Sequence, residues 1–184
     1  MSFFTNRKPV IKLIKQLISS ERLEELKILD LGIGYGNFGK LIKKNIKITI
    51  RMIGVEIWEK YKTKKWERYY DNVLIQDIKV YTNNCNEKFD VVLLIDVLEH
   101  LDKKEGFELM KNCMNITRKL FIVSSPATDY PQGAVFGNPY EKHRHIWSEK
   151  EMNSLGFKTF HKSKIPTFSI KPLFSDLCVY VFKK

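Results

Sequence analysis

Two rhythms of apolar residues alternate along this chain. Short unbroken apolar runs read as strands covered on both faces. Stretches with an apolar side chain every three or four positions read as amphipathic helices. Val10, Ile11, Ile14, Leu17 and Ile18 predict a helix over residues 8–20. Residues 28–31 and 50–55 predict the first two strands, and the helix between them buries Phe38, Leu41 and Ile42 while its lysines face water. Residues 58–70 predict a charged, aromatic helix, 73–75 a third strand and 90–95 a fourth. Asp102 with Glu105 has the spacing of a capping box and opens a helix to about residue 117, before a fifth strand at 120–123. Ser148 with Glu151 is a second capping box, and Gly156 a helix stop. Residues 157–162 and 177–182 predict a closing pair of strands, with Pro166 and Pro172 in the connection.

Strands that alternate with helices imply an α/β fold, a doubly wound and mostly parallel sheet with helices on both faces and right-handed crossovers. The 184 residues suit one domain with one good core, residues 1–184. Internal repeats, low-complexity tracts and linkers are absent from the sequence. One stretch, residues 124–147, lacks periodicity and contains Pro126, Pro131, Gly133, Gly137 and Pro139. Ordered loops of that length usually serve as lids or binding loops.

Composition narrows the setting. No apolar run reaches the ~20 residues needed to cross a bilayer, and the polar start does not read as a secretory signal. Cys85, Cys113 and Cys178 are far apart and form no CxxC pair, so neither a disulfide framework nor a zinc site is expected. A reducing, cytoplasmic location and no membrane partner follow as expectations. The formal net charge of +11 would attract nucleic acid or another acidic partner. Lysine, however, supplies 26 of the 32 basic residues, a bias that an AT-rich genome also produces. Nucleic acid therefore stays open as a partner, and oligomeric state is not legible.

The chemistry concentrates in the segment from Ile28 to Gly39, a buried strand that enters a glycine-rich turn and then a helix. Glycines let the backbone turn sharply and approach a ligand, and a helix N-terminus offers free N–H groups. Downstream, the apolar run Met52-Ile53-Gly54-Val55 ends in Glu56, where a ribose diol is usually gripped. Read as Gly34-x-Gly36-x-x-Gly39, the turn fits a dinucleotide site. Read as Asp30-x-Gly32-x-Gly34-x-Gly36, it resembles motif I of the class I S-adenosylmethionine (SAM)-dependent methyltransferases. Asp77 after Val73-Leu74-Ile75, and the segment Phe89 to Leu101 with Asp96-Val97-Leu98-Glu99-His100, follow the order and spacing of further motifs of that family.

The resemblance implies a seven-stranded sheet with the last strand antiparallel, and SAM as cofactor. It carries cofactor contacts onto Asp30, Gly32, Gly34, Gly36, Glu56, Ile57, Asp77, Ile78 and Asp96. Asp30 would hold the ammonium of the cofactor's amino-acid moiety, Glu56 the ribose and Asp77 the adenine amino group. Tyr35 or Trp58 could stack on adenine. A dinucleotide-dependent reductase and a non-catalytic binding module of the same fold are the rival readings.

Methyl transfer from a sulfonium needs alignment, exclusion of water and, for a protonated acceptor, a base. Histidine suits that role near neutral pH. His145 and His143 in the irregular stretch are the expected bases, His100 after strand four shapes the site, and His161 on a strand is structural. The expected acceptor atom is oxygen, because the Asn-Pro-Pro-Tyr type of motif that amino-directed enzymes carry after strand four is absent. Asn138-Pro139-Tyr140 lies after strand five instead. Asp96, Glu99 and His100 are spaced i, i+3, i+4 and would share a helical face. With His145 they resemble the carboxylate–histidine cluster of metal-dependent RNA 2′-O-methyltransferases, except that Asp96 stands where those enzymes have Glu. The same string also occurs in methyltransferases that need no metal, and no metal is assigned. The methyl acceptor is unidentified at this level.

Overall fold

A computed structural model describes residues 4–128, 130–135, 137–166 and 174–184. Its sheet has seven strands in the order β3-β2-β1-β4-β5-β7-β6. They are β1 Glu25–Leu31, β2 Thr49–Glu56, β3 Asn72–Ile75, β4 Phe89–Ile95, β5 Thr117–Pro126, β6 Lys158–Pro166 and β7 Phe174–Lys183. The neighbours among β1 to β5 pair in parallel, whereas β7 is antiparallel to both β5 and β6. Six strands therefore share one direction and the last opposes them, as the sequence resemblance implies.

Six α-helices among the described residues cover both faces: α1 Phe4–Glu21, α2 Asn37–Asn45, α3 Lys64–Tyr69, α4 Ile78–Asn84, α5 Lys103–Ile116 and α6 Glu149–Ser154. Strand alternation divides the core. Ile28, Met52, Leu93 and Ile122 face one cluster with Val10 and Ile14 of α1 and Ile42 of α2. Leu29, Val55, Leu94 and Val123 face the other, with Leu109 and Met110 of α5 and Met152 of α6. The central strands β4 and β5 are apolar at successive positions because both of their faces are buried, whereas β6 at the sheet edge is polar and largely exposed.

Several elements depart from the sequence reading. The first helix starts at Phe4, ahead of Pro9, which lacks the donor an interior turn uses. Its leading turn is held by tertiary bonds instead, because the buried Asn6 amide lies 2.9 Å from Asp96 Oδ2 and 3.0 Å from Ser124 Oγ. The helix expected over 58–70 divides into a 3-10 turn, Glu59–Tyr61, and α3. Thr63 sits extended between them, and its hydroxyl accepts from the Lys65 N–H as a fresh N-cap. Helix α4 follows Asp77, whose carboxylate accepts the Lys79 N–H at 2.8 Å. Of the two expected capping boxes, Ser148–Glu151 forms completely. At Asp102 only half forms, since the Glu105 carboxylate pairs with Lys79 across the α4–α5 contact. Pro126 and Pro166 end strands β5 and β6, and Pro172 lies outside the described residues. No helix among the described residues is long and apolar enough to cross a membrane.

Trp147 is the anchor of the irregular stretch. It is fully buried, and its indole N–H donates to the Leu98 carbonyl at 3.0 Å. The ring lies against Gly106 of α5, where an added Cβ would overlap it. Glycine to alanine in a helix interior ordinarily stabilises by up to about 1 kcal/mol. Here Gly106→Ala is expected to destabilise by about 1–3 kcal/mol through overpacking. Thermal unfolding followed by circular dichroism checks this, and a raised melting temperature would contradict the packing.

Candidate active site

The carboxyl ends of β1, β2 and β4 reach the same edge of the sheet because their registers align. A cavity of about 230 Å³ opens there, lined by Asp30, Glu56, Asp77 and Asp96 and by the glycine turn. Gly32 and Gly34 hold left-handed backbone, φ 75° and 50°. A Cβ on Gly32 would strike Val97, whereas one on Gly34 would meet nothing within 4 Å. Gly34 thus borders open space, and its N–H donates to Glu56 Oε2 at 2.8 Å. Gly36 does not line the cavity. A Cβ there would press Trp66 of α3 at 3.1 Å, so this glycine serves the packing of α2 on α3.

Asp30 is 2% exposed, and its carboxyl accepts the Tyr70 hydroxyl at 2.7 Å. Burial pushes its pKa up to about 7, with Glu56 adding repulsion. Burial also raises Glu56, although N–H donors from Trp58 and Gly34 oppose that shift. Those two donors fix the carboxylate on the rim, one on each oxygen. Ile57 and Ile78 complete the apolar lining beside Asp77. Tyr35 lines the cavity with its ring 4.5 Å from Tyr61. Trp58 stays outside the lining, edge-on to Tyr140 at 6.0 Å.

Asp96 has positive φ, 55°, unusual for a residue with a side chain. Its N–H donates to the Ser124 carbonyl at 2.9 Å, and its carboxylate accepts from Asn6 and the Ser124 hydroxyl. The side chain is thereby drawn toward α1 and β5. The next residues form a 3-10 turn, Leu98–His100, not an α-helix, so Asp96, Glu99 and His100 do not make a common ligand face.

The histidines separate. His100 lines the cavity, and its ring lies 5.0 Å from that of His143. Its Nδ1 is 3.4 Å from the Lys142 carbonyl, and its Nε2 is 3.9 Å from the Glu141 carboxylate. Glu141 also accepts the Tyr61 hydroxyl at 2.7 Å. Burial, with His143 alongside, pushes His100 down to about 4, and burial lowers His143 as well. His143 stands behind His100, with Nδ1 2.6 Å from the Tyr130 carbonyl. His145, expected as a base, is outside the lining; its Nε2 is 3.3 Å from Glu151 and its ring packs edge-on to Trp147. The Trp147 anchor and the two capping-box residues after it hold His145 against α6, away from the cavity. Among the described residues, Glu99, His100 and His143 form a group whose ligand atoms all lie within 4.8 Å of one another.

The irregular stretch is stitched to the turn after β4. The Glu99 carbonyl accepts the Arg144 N–H at 2.8 Å, and the Gln132 carbonyl accepts the His143 N–H at 3.0 Å. Sequence reasoning missed Asn6, Tyr61, Tyr70 and Glu141. Only Glu141 carried a local signal, since it follows Asn138, which caps the short turn Pro139–Glu141.

A family model described as a methyltransferase domain matches residues 3–159. The chain belongs to the class I SAM-dependent methyltransferases. That match separates the two cofactor classes the glycine turn left open, in favour of SAM. The methyltransferase shares its fold with magnesium protoporphyrin IX methyltransferase from Synechocystis PCC 6803 with bound SAM. The two are 18% identical, with a TM-score of 0.59 over 96% of this chain and 79% of that one. Burkholderia thailandensis 1,6-didemethyltoxoflavin-N1-methyltransferase, with bound 1,6-didemethyltoxoflavin and S-adenosylhomocysteine, is 16% identical with a TM-score of 0.63, covering 95% and 77%. The methyltransferase domain of bacterial CtHen1-CN is 23% identical with a TM-score of 0.59, covering 96% and 98%. At these identities the likeness is one of fold. A search of curated proteins gave no match.

Proposed function

We propose that this methyltransferase transfers the methyl group of SAM to an oxygen acceptor, with His100 as the base. The observation that carries this reading is the placement of His100 on the cavity wall, kept neutral by burial and backed by Glu141. With Nδ1–H donating to the Lys142 carbonyl, Nε2 carries the lone pair. SAM held in the cavity would supply an activated methyl group on a cationic sulfur, and the cavity wall would orient the acceptor oxygen toward it. The hydroxyl proton passes to His100 Nε2, and the imidazolium that results is stabilised by Glu141. A weakly basic imidazole suffices because the proton becomes acidic only as the new carbon–oxygen bond forms. His100 takes the role expected of His145 or His143, both of which stand outside the cavity lining.

In the same reading Asp30 holds the cofactor's ammonium, Glu56 the ribose hydroxyls and Asp77 the adenine amino group. The open space at Gly34 admits the cofactor close to the backbone. The buried carboxylates need a cationic ligand, and SAM brings both an ammonium and a sulfonium.

A second reading is favoured by one feature. Glu99 Oε2 is buried and has no hydrogen-bond partner among the described residues, although Glu99 stands beside His100 and His143. Glu99, His100 and His143 are the residues that would hold a divalent cation, which would supply Lewis acidity toward a hydroxyl such as an RNA ribose 2′-OH. This set differs from the one expected from sequence, because Asp96 is engaged by Asn6 and Ser124 and His145 by Glu151.

Two outcomes test the proposal. The ionised form of Asp30 is the one that binds an ammonium, and its pKa without ligand is about 7. SAM affinity should therefore rise with pH from 5.5, steepest near 7, and level off about one unit above that, a dependence that Asp30→Asn abolishes together with most of the binding. Calorimetry over that range reads it, and a flat profile would remove Asp30 from the site. His100→Ala should leave SAM affinity intact and slow turnover about 10²–10⁴-fold, with wild-type turnover insensitive to EDTA. Loss of activity in EDTA, restored by a divalent cation, would replace the base with the metal reading.

A further inference from the structure

Helix α1 has two unlike faces. Val10, Leu13 and Ile14 are buried against the sheet, whereas Lys8, Lys12 and Lys15 stand exposed at i, i+4 and i+7 and form one stripe. Beside that stripe runs a groove of about 990 Å³, bounded by α1, by Leu41 and Asn45 of α2 and by the ends of β5 and β7 remote from the cavity. Arg7, Lys8, Lys12, Lys15, Lys183 and Lys184 line it. The one acidic residue among the described residues that line it, Glu21, is already paired with Lys119. Lys8, Lys12 and Lys15 reach no carboxylate among the described residues; Lys12 lies over the Phe160 ring at 5.8 Å. Like charges at this spacing repel and weaken a helix, so an anion along the stripe removes a standing cost.

The shape of the groove selects the anion. From Arg7 to Glu21 the helix advances about 21 Å, a span of about six phosphates along one strand of a duplex. No aromatic residue among the described residues lines the groove, so it offers contacts to a backbone and no platform for stacked bases. A bilayer is a poor fit, because the surface is concave and the exposed large apolar side chains, such as Ile75, Val80 and Phe174, are not part of it. The direction of α1 adds a consequence. Asn6 meets Ser124 at the cavity edge, and Glu21 meets Lys119 near the opposite end of β5. A ligand lying along the stripe therefore has one end beside the tips of β4 and β5.

We propose that this groove binds the phosphate backbone of a nucleic acid. The site is independent of which atom the enzyme methylates and of which residue is the base.

Fluorescence anisotropy of the full chain without cofactor tests it, using a labelled 20-base-pair RNA duplex, its single strand and the matching DNA duplex. Binding of any of the three supports the proposal, and the tightest names the nucleic acid. Between 50 and 300 mM KCl the slope of log K against log salt should be about −4 to −6, from five or six phosphate contacts. The triple variant Lys8→Gln, Lys12→Gln, Lys15→Gln should flatten that slope by about 2–3 and weaken binding about tenfold or more at 50 mM. Calorimetry should show its SAM affinity unchanged, as a check that the fold is intact. A control triple on the opposite face of the sheet, Lys104→Gln, Lys111→Gln, Lys150→Gln, should lose far less. Absence of binding at 50 mM, an equal loss in the control, or equally tight binding of polyglutamate or phosphatidylserine vesicles would overturn the proposal.

Discussion

Burial of carboxylates at one edge of the sheet is the constraint on which the site depends. Parallel strands in register end together, so Asp30, Glu56 and Asp96 are brought side by side, with Glu99 just beyond. Burial raises Asp30, Glu56 and Glu99 toward the protonated form, and Asp30 also feels Glu56 while Glu99 feels Asp96. The fold answers each carboxylate separately. Tyr70 donates to Asp30, two backbone N–H groups hold Glu56, and Asn6 with Ser124 holds Asp96. Glu99 keeps one buried oxygen with no partner among the described residues. An edge so provided with negative charge is suited to a cationic cofactor, and SAM is one.

The second organising feature is the attachment of the irregular stretch to the turn after β4. Trp147 donates to Leu98, and Arg144 donates to Glu99. These bonds fix where the stretch crosses the cavity. They bring Glu141 and His143 to His100 and leave His145 on the far side of the anchor. The asymmetry between histidines only two residues apart follows from that stitching. Asn6 of helix α1 bonds the Asp96 carboxylate, and this ties the left-handed Asp96 to the N-terminal helix. Left-handed backbone at a residue with a side chain costs about 1–2 kcal/mol, a cost these hydrogen bonds offset.

Much of the fold was legible because its signals are local. Residues 91–95 are apolar throughout, and only a strand covered on both faces calls for that. Ser148 and Glu151 carry a complete capping box, which forms as read. The errors arose where a local signal met a tertiary partner. Glu105 matched the spacing of a capping box, but Lys79 takes its carboxylate. The apolar period begins at Val10 and put the helix start at residue 8, but Asn6 holds a turn that begins at Phe4. Within 58–70 the apolar and aromatic spacing concealed the break at Thr63, a hydroxyl that competes for the backbone.

The sequence by itself determined the order of strands and helices along the chain, the glycine-rich turn after β1 and the acidic residues at or just after the ends of β1 to β4. These depend on backbone conformation and on hydrophobic period, which neighbouring residues set. Only the tertiary structure decided that Gly36 packs on Trp66 instead of lining the cavity, that His100 rather than His145 reaches it, and that Asp96 turns to Asn6 and Ser124. Those outcomes rest on contacts between residues as much as 118 positions apart. No local period encodes such a contact, because it exists only once the sheet has closed and the crossing segments have been laid over its edge.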